Sequence, residues 1–148
     1  MFKDIFKNNN YTIIVGCGKL GADLATKLYE NNEDVLIIDN NEDAFKKLPT
    51  NFGGLTLVSN GTDIDTLVNA KIKKATSVIA VTNDDNVNIM VSLLARELFG
   101  IKKVVARLYN SDKKIIYEDF KIETICPTLL LSDLITKKIY ENQTEEKN

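Results

Sequence analysis

No histidine and no tryptophan occur in the 148 residues, and cysteine, methionine and proline appear twice each. Without histidine the commonest general base and metal ligand is missing. Cys17 and Cys126 stand far apart with no Cys-x-x-Cys spacing, so neither a disulfide framework nor a zinc site is expected. The opening Met1-Phe2-Lys3-Asp4-Ile5-Phe6 is charged too early for a secretion signal. Together with reduced thiols this points to the cytoplasm. No apolar run approaches the ~20 residues of a membrane span, so direct membrane insertion is not expected. Any role at a membrane would run through another protein. Nor is there an excess of charge of one sign: 19 basic residues meet 21 acidic ones, a net charge of −2. A nucleic-acid binder would usually carry a basic face, so that class is disfavoured. Repeats, low-complexity stretches and long linkers are also absent. What remains is 44% hydrophobic and 27% charged, the balance of one globular domain with a sizeable core.

The apolar segments alternate between strand-like and helix-like periods, which implies a parallel sheet with helices on both faces. Strands are expected at 12–15, 35–38, 55–58, 77–81, 104–106 and 123–125. Helices are expected at 19–29, 42–48, 63–69, 84–99, 113–120 and 129–140. Pro49 stops the second helix. Asp63 is a candidate cap for the third, Asp84 or Asp85 caps the fourth, and Gly100 closes it. Residues 1–10 read as a short polar lead, and 141–148 as a frayed polar tail.

The most informative segment is Gly16-Cys17-Gly18-Lys19-Leu20-Gly21, which directly follows the apolar run Tyr11–Val15. Strand, glycine turn and helix in that order outline a nucleotide site. Gly16 permits the tight turn, Gly18 lets backbone amides approach a diphosphate, and Gly21 lets the helix pack against the strand. The helix N-terminus offers N–H groups to phosphates. Asp39 ends the second apolar run, at about the distance where an acid accepts from ribose hydroxyls. Asn40 and Asn41 follow it, so no cation stands beside it in sequence for a 2′-phosphate. NAD or another adenine nucleotide is therefore favoured over NADP. Cys17 either fills the turn or is open to a ligand or oxidant, and Lys19 is either a phosphate contact or a solvated charge.

Further motifs fall on the same sheet edge. Asn60-Gly61-Thr62 follows the third strand, where Asn60 can offer a donor and an acceptor to an adenine edge. The alternative is an ordinary Asn-Gly turn. Thr82-Asn83-Asp84-Asp85 follows the fourth strand, where Thr82 and nearby backbone can line a ribose. Arg107 ends the fifth.

In order, these segments resemble the N-terminal nucleotide-binding half of RCK/KTN domains, the Trk/Ktr-type regulators of potassium channels and transporters. The resemblance runs from about Tyr11 to Ile139. It rests on Gly16–Gly21, Ile38-Asp39, Asn60–Asp63, Ala80–Asn88, Val105-Ala106-Arg107 and the Ile125-Cys126-Pro127 turn. It implies a Rossmann-like, doubly wound parallel sheet of six strands in the order 3-2-1-4-5-6, with a C-terminal crossover helix. It implies a regulatory domain controlling potassium transport and binding NAD or NADH, or else ATP, ADP or AMP. Arg107 would lie by the nucleotide phosphates. The last helix, with Leu129–Leu131, Leu134 and Ile135, would cross to a second copy in a homodimer or larger ring. The partner would be a membrane-embedded channel or transporter subunit. Family members often have Gly-Asp where this chain has Ser59-Asn60, and many continue into a second ligand domain that is not expected here.

The competing class is a small NAD-dependent oxidoreductase. Tyr109 and Lys113 fit the Tyr-x-x-x-Lys spacing of short-chain dehydrogenases. Tyr109, however, is expected in a loop rather than on a long helix with Lys113, and a substrate domain is not expected.

Overall fold

The computed structural model describes residues 6–145. Six strands form one all-parallel sheet in the order β3-β2-β1-β4-β5-β6. They are β1 Tyr11–Val15, β2 Asp34–Asp39, β3 Leu55–Val58, β4 Ser77–Ala80, β5 Lys103–Arg107 and β6 Glu123–Ile125. The helices are α1 Lys19–Glu30, α2 Ile64–Asn69, α3 Asp85–Leu93, α4 Lys114–Glu118 and α5 Pro127–Glu145. The doubly wound parallel sheet and its strand order agree with the expectation.

Every residue of β1 is buried, as are Val35–Ile38 of β2. Alternate side chains of these central strands feed two cores, which explains their unbroken apolar runs. Ile13, Val15, Leu36 and Ile38 pack with Leu67 of α2, Val91 of α3 and Tyr117 of α4. Ile14, Ile37 and Cys17 pack with Ala22 and Ala25 of α1 and with Ala44.

Several local expectations are refined. The segment Glu42–Lys47 winds as a 3-10 helix, its first turn capped by the Asn41 side chain on Asp43 N at 3.0 Å. Asp63 occupies the cap position of α2, but its side chain makes no cap hydrogen bond. Asp84, rather than Asp85, caps α3, accepting from Asn86 N at 2.8 Å and Val87 N at 3.3 Å. After Leu93 the helix widens into a π turn, Leu94–Leu98, and Gly100 closes it at φ +67°.

The last helix departs furthest. It begins at Pro127, whose missing N–H costs nothing at a first helical position. It continues through Glu145, so 141–145 is helix rather than a frayed tail. An i,i+4 pair, Lys137 Nζ to Glu141 Oε1 at 3.7 Å, spans the expected boundary. Residues 1–5 of the expected lead and 146–148 of the expected tail lie outside the described residues. Among the described residues no helix is long and apolar enough to cross a membrane.

Candidate functional site

The order of the sheet sets the site. Connections leave β1 and β4 in opposite directions, and a crevice opens beyond the carboxyl ends of such strands. Here it is a cleft of about 450 Å³, a volume suited to a small ligand. Four strand tips build it: Val15–Gly18 after β1, Ile38–Asn41 after β2, Ser59–Gly61 after β3 and Val81–Asp84 around the end of β4. Val87 of α3 and Ala44 and Lys47 of the 3-10 helix complete the wall.

Two of the three glycines of the turn are required by the fold, each for its own reason. Gly16 has φ +107°, and a Cβ there would stand 2.8 Å from Thr82 N. A Cβ on Gly21 would collide with the Gly16 carbonyl, so the helix is seated on the turn through that gap. Gly18 is otherwise. Its φ of −77° and ψ of −168° suit any residue, and a Cβ there would meet no atom within 4 Å. Nothing in the protein's own packing asks for glycine at 18. Its bareness keeps open the cleft floor at the N-cap of α1, where no side chain caps the free N–H groups of the first turn.

Asp39 holds this floor. Its Oδ2 accepts from Cys17 N at 2.8 Å and its Oδ1 from Asn41 N at 2.9 Å. Each oxygen keeps a lone pair for a further donor. Cys17 is 1% exposed and its thiol donates to Ala44 O at 3.5 Å, so it fills the turn rather than facing solvent. Burial pushes the thiol pKa up, the Asp39 charge adds to this, and Lys47 pulls the other way.

Asn60 forms an Asx turn: Oδ1 accepts from Thr62 N at 3.0 Å and from Thr62 Oγ1 at 2.7 Å. Two donors fix the amide orientation and leave Nδ2 as the group to offer. Gly61 sits where a Cβ would be 2.5 Å from Val15 Cγ1, so this turn rests directly on the tip of β1.

The Thr82 segment is braced from behind. Fully buried Asn88 accepts from Thr82 N at 2.9 Å and Thr82 Oγ1 at 2.7 Å. Its Nδ2 donates to Thr82 O at 3.1 Å and Arg107 O at 3.0 Å. Arg107 Nη2 donates to Val81 O at 2.9 Å, Thr82 O at 2.8 Å and Asn83 Oδ1 at 3.2 Å. Its guanidinium also lies 4.9 Å from the Tyr109 ring centre. Asp85 turns toward the loop after β5, accepting from Tyr109 N at 2.8 Å and Asn110 N at 2.9 Å. The Cys126 thiol then meets Tyr109 O at 3.9 Å, one residue before α5.

Of the residues singled out in the sequence, Gly16, Cys17, Gly18, Asp39, Asn40, Asn60, Gly61, Thr82 and Asn83 line the cleft. Lys19 and Leu20 are exposed on the first turn of α1 outside the lining, and Gly21 is buried beneath it. Thr62 supports Asn60 rather than reaching the cleft. Arg107 is also outside the lining, because its guanidinium is occupied by the β4 loop. Sequence reasoning missed Asn41, Ala44 and Lys47 as wall residues, and Asn88 and Asp85 as braces. Asn88 had a signal, a polar residue one turn after the Asp84 cap on the inner face of α3; Lys47 had none.

The matches to known proteins follow this geometry. The TrkA-N domain family matches residues 12–127. The Trk system potassium uptake protein TrkA of Streptomyces coelicolor is 33% identical over 135 residues, 91% of this chain and 60% of that protein. A TrkA homologue of Methanothermobacter thermautotrophicus is 33% identical over 115 residues, 78% of this chain and 53% of that protein. This chain thus spans between half and two thirds of the length of these two relatives. Among solved structures, the TrkA-N domain of the Escherichia coli inner membrane protein ybaL superposes with a TM-score of 0.78 at 16% identity, covering 90% of this chain and 97% of that one. GsuK bound to ADP gives 0.69 at 23% identity, covering 95% and 35%, and the GsuK channel bound to NAD gives 0.66 at 19%, covering 82% and 22%. At these identities the superpositions speak for the fold alone. The family match covers most of the sheet and all four cleft-forming tips, and the chain belongs to the TrkA-N domain family.

Proposed function

We propose that this chain is the nucleotide-sensing part of a regulator of potassium transport. The cleft takes an adenine nucleotide: NAD or NADH, or alternatively ATP, ADP or AMP. The observation that carries the reading is Gly18, bare where neither conformation nor packing requires it, beside uncapped N–H groups. The Gly16–Gly18 turn and the start of α1 would hold the phosphates. Asp39 would accept from the ribose, and Asn60 Nδ2 would donate to the base. Thr82 and Asn83 would contribute backbone and amide groups from the opposite wall. The ligand supplies charge and shape to the cleft, and no bond to it is made or broken.

A role in catalysis is disfavoured by the positions of Tyr109 and Lys113. Tyr109 lies in the loop after β5, and the Lys113 ammonium donates to Asn86 Oδ1 at 3.0 Å. Regulation needs two ligand states that prefer different conformations. The route outward is the bonded series from Thr82 through Asn88 and Arg107 to the Tyr109–Asn110 loop and Cys126, at the root of α5. That helix carries Leu129, Leu130, Leu131, Leu134, Ile135 and Ile139, each about half exposed in the single chain. We assign this face to a second copy of the chain, because so much terminal apolar surface calls for a cover. The assembly would work at the inner face of the membrane on a potassium channel or transporter subunit.

Thermal melting with NAD, NADH, ATP, ADP and AMP tests the reading. Ligand at 100 times its dissociation constant adds about 2.7 kcal/mol of stability. A melting temperature that none of the five raises would remove the sensor assignment. Light scattering on Leu134→Glu tests the second copy: the parent should be at least dimeric and the variant smaller, whereas a monomeric parent overturns it.

A further inference from the structure

The wall contains one cationic side chain, Lys47, which the motifs read from the sequence do not include. A 3-10 helix has three residues per turn, so residues i and i+3 stand on one face. Ala44 is buried against Cys17 under the glycine turn. Lys47 shares that face and emerges from it into the cleft. Its neighbour Lys46 points elsewhere and pairs with Asp43 at 2.9 Å. Lys47 meets no carboxylate at ion-pair distance among the described residues. The other charges in the wall are Asp39 and Asp84, and both are engaged by backbone amides. Lys19, the cation expected at the turn from the sequence, is not in the wall at all.

We propose that Lys47 is the phosphate-binding side chain of this cleft. It lines the same cleft as the bare Gly18 floor and supplies the positive charge that backbone N–H groups alone provide only in part. The inference rests on the nucleotide reading above and deepens it: the cleft selects phosphorylated adenine ligands over the nucleoside.

The test is isothermal titration of the full chain, Lys47→Gln and Lys47→Arg with adenosine, AMP, ADP and NAD, at low and high ionic strength. Lys47→Gln should weaken the three phosphorylated ligands by about three- to tenfold, leave adenosine unchanged and flatten the salt dependence of AMP binding. Lys47→Arg should recover most of the loss. Equal weakening of adenosine, or equal salt dependence in parent and Lys47→Gln, would overturn the assignment by showing a role in shape alone. If the parent binds AMP and Lys47→Gln binds it as well, Lys47 is refuted and the nucleotide reading stands. If the parent binds none of the phosphorylated ligands, both fall. Lys47 is exposed on a surface turn, so the unliganded melting temperature should be unchanged in both variants.

Discussion

Gly18→Ser separates the needs of the fold from the needs of a ligand. At Gly18 the backbone is extended, with φ −77° and ψ −168°, and the space beyond Cα is open. A serine fits both. As an N-cap it can bond an amide in the first turn of α1, which is worth a few tenths of a kcal/mol over glycine. Losing glycine's freedom in the unfolded chain adds about 0.4–1 kcal/mol. The unliganded variant should therefore gain about 0.5–1.5 kcal/mol, a rise of roughly 2–5 °C in melting temperature for a chain of this size. The same hydroxymethyl group stands on the cleft floor and occupies the amides proposed to hold phosphate. Nucleotide affinity should fall at least about tenfold, or about 1.4 kcal/mol. Differential scanning calorimetry without ligand and titration with ADP or NAD give the two readings. A variant that melts several degrees lower, or one that binds as the parent does, would refute the reasoning. Gly21→Ala gives the contrast, since its Cβ collides with the Gly16 carbonyl and the fold itself should suffer.

Three other outcomes follow from particular bonds. Asp39→Ala removes the acceptor for Cys17 N and Asn41 N; it should cost about 1–3 kcal/mol in urea unfolding and weaken nucleotide binding, and unchanged affinity in a folded variant would end the ribose role. Asn88→Ala strips four hydrogen bonds from one buried site; a loss of roughly 2–4 kcal/mol is expected, and a loss within experimental error would show that the Thr82 loop holds itself. The Tyr117 hydroxyl is buried with no hydrogen-bond partner among the described residues, and burial, then the nearby Asp85 charge, raise its pKa far above that of a free tyrosine. Burial and Asp34 do the same to Tyr11. Unfolded tyrosines lose protons near pH 10 while these two stay protonated when folded, so stability should fall as pH rises through about 10 and beyond. Tyr117→Phe should be neutral or stabilising near pH 7 and should reduce that alkaline slope; an unchanged slope would contradict it.

The sheet was legible because its strands are short apolar runs closed by turn residues, and every strand falls within one residue or so of its expected place. The cleft tips were legible for the same reason, since each follows a strand directly. Arg107 illustrates what sequence cannot carry. Its place at the end of β5 is local information, but its partners Val81, Thr82 and Asn83 lie about 25 positions away, and they draw the guanidinium behind the loop. Lys47 illustrates the reverse. In the sequence it is one of many lysines, and only the three-residue turn of 42–47 places it in the cleft wall. The extent of α5 was underread because its last residues are polar. Residues 137–141 near its end are exposed and carry the Lys137–Glu141 pair rather than core contacts.

The most direct measurement is a two-dimensional amide NMR titration of the folded chain with ADP and with NAD. Saturable shifts should concentrate at Gly16–Lys19, Asp39–Asn41, Asn60–Gly61 and Thr82–Asn83, with smaller ones running through Asn88 to Tyr109. Resonances at those four strand tips that stay still at millimolar ligand, or shifts confined to the opposite edge of the sheet, would contradict a nucleotide cleft at the glycine turn.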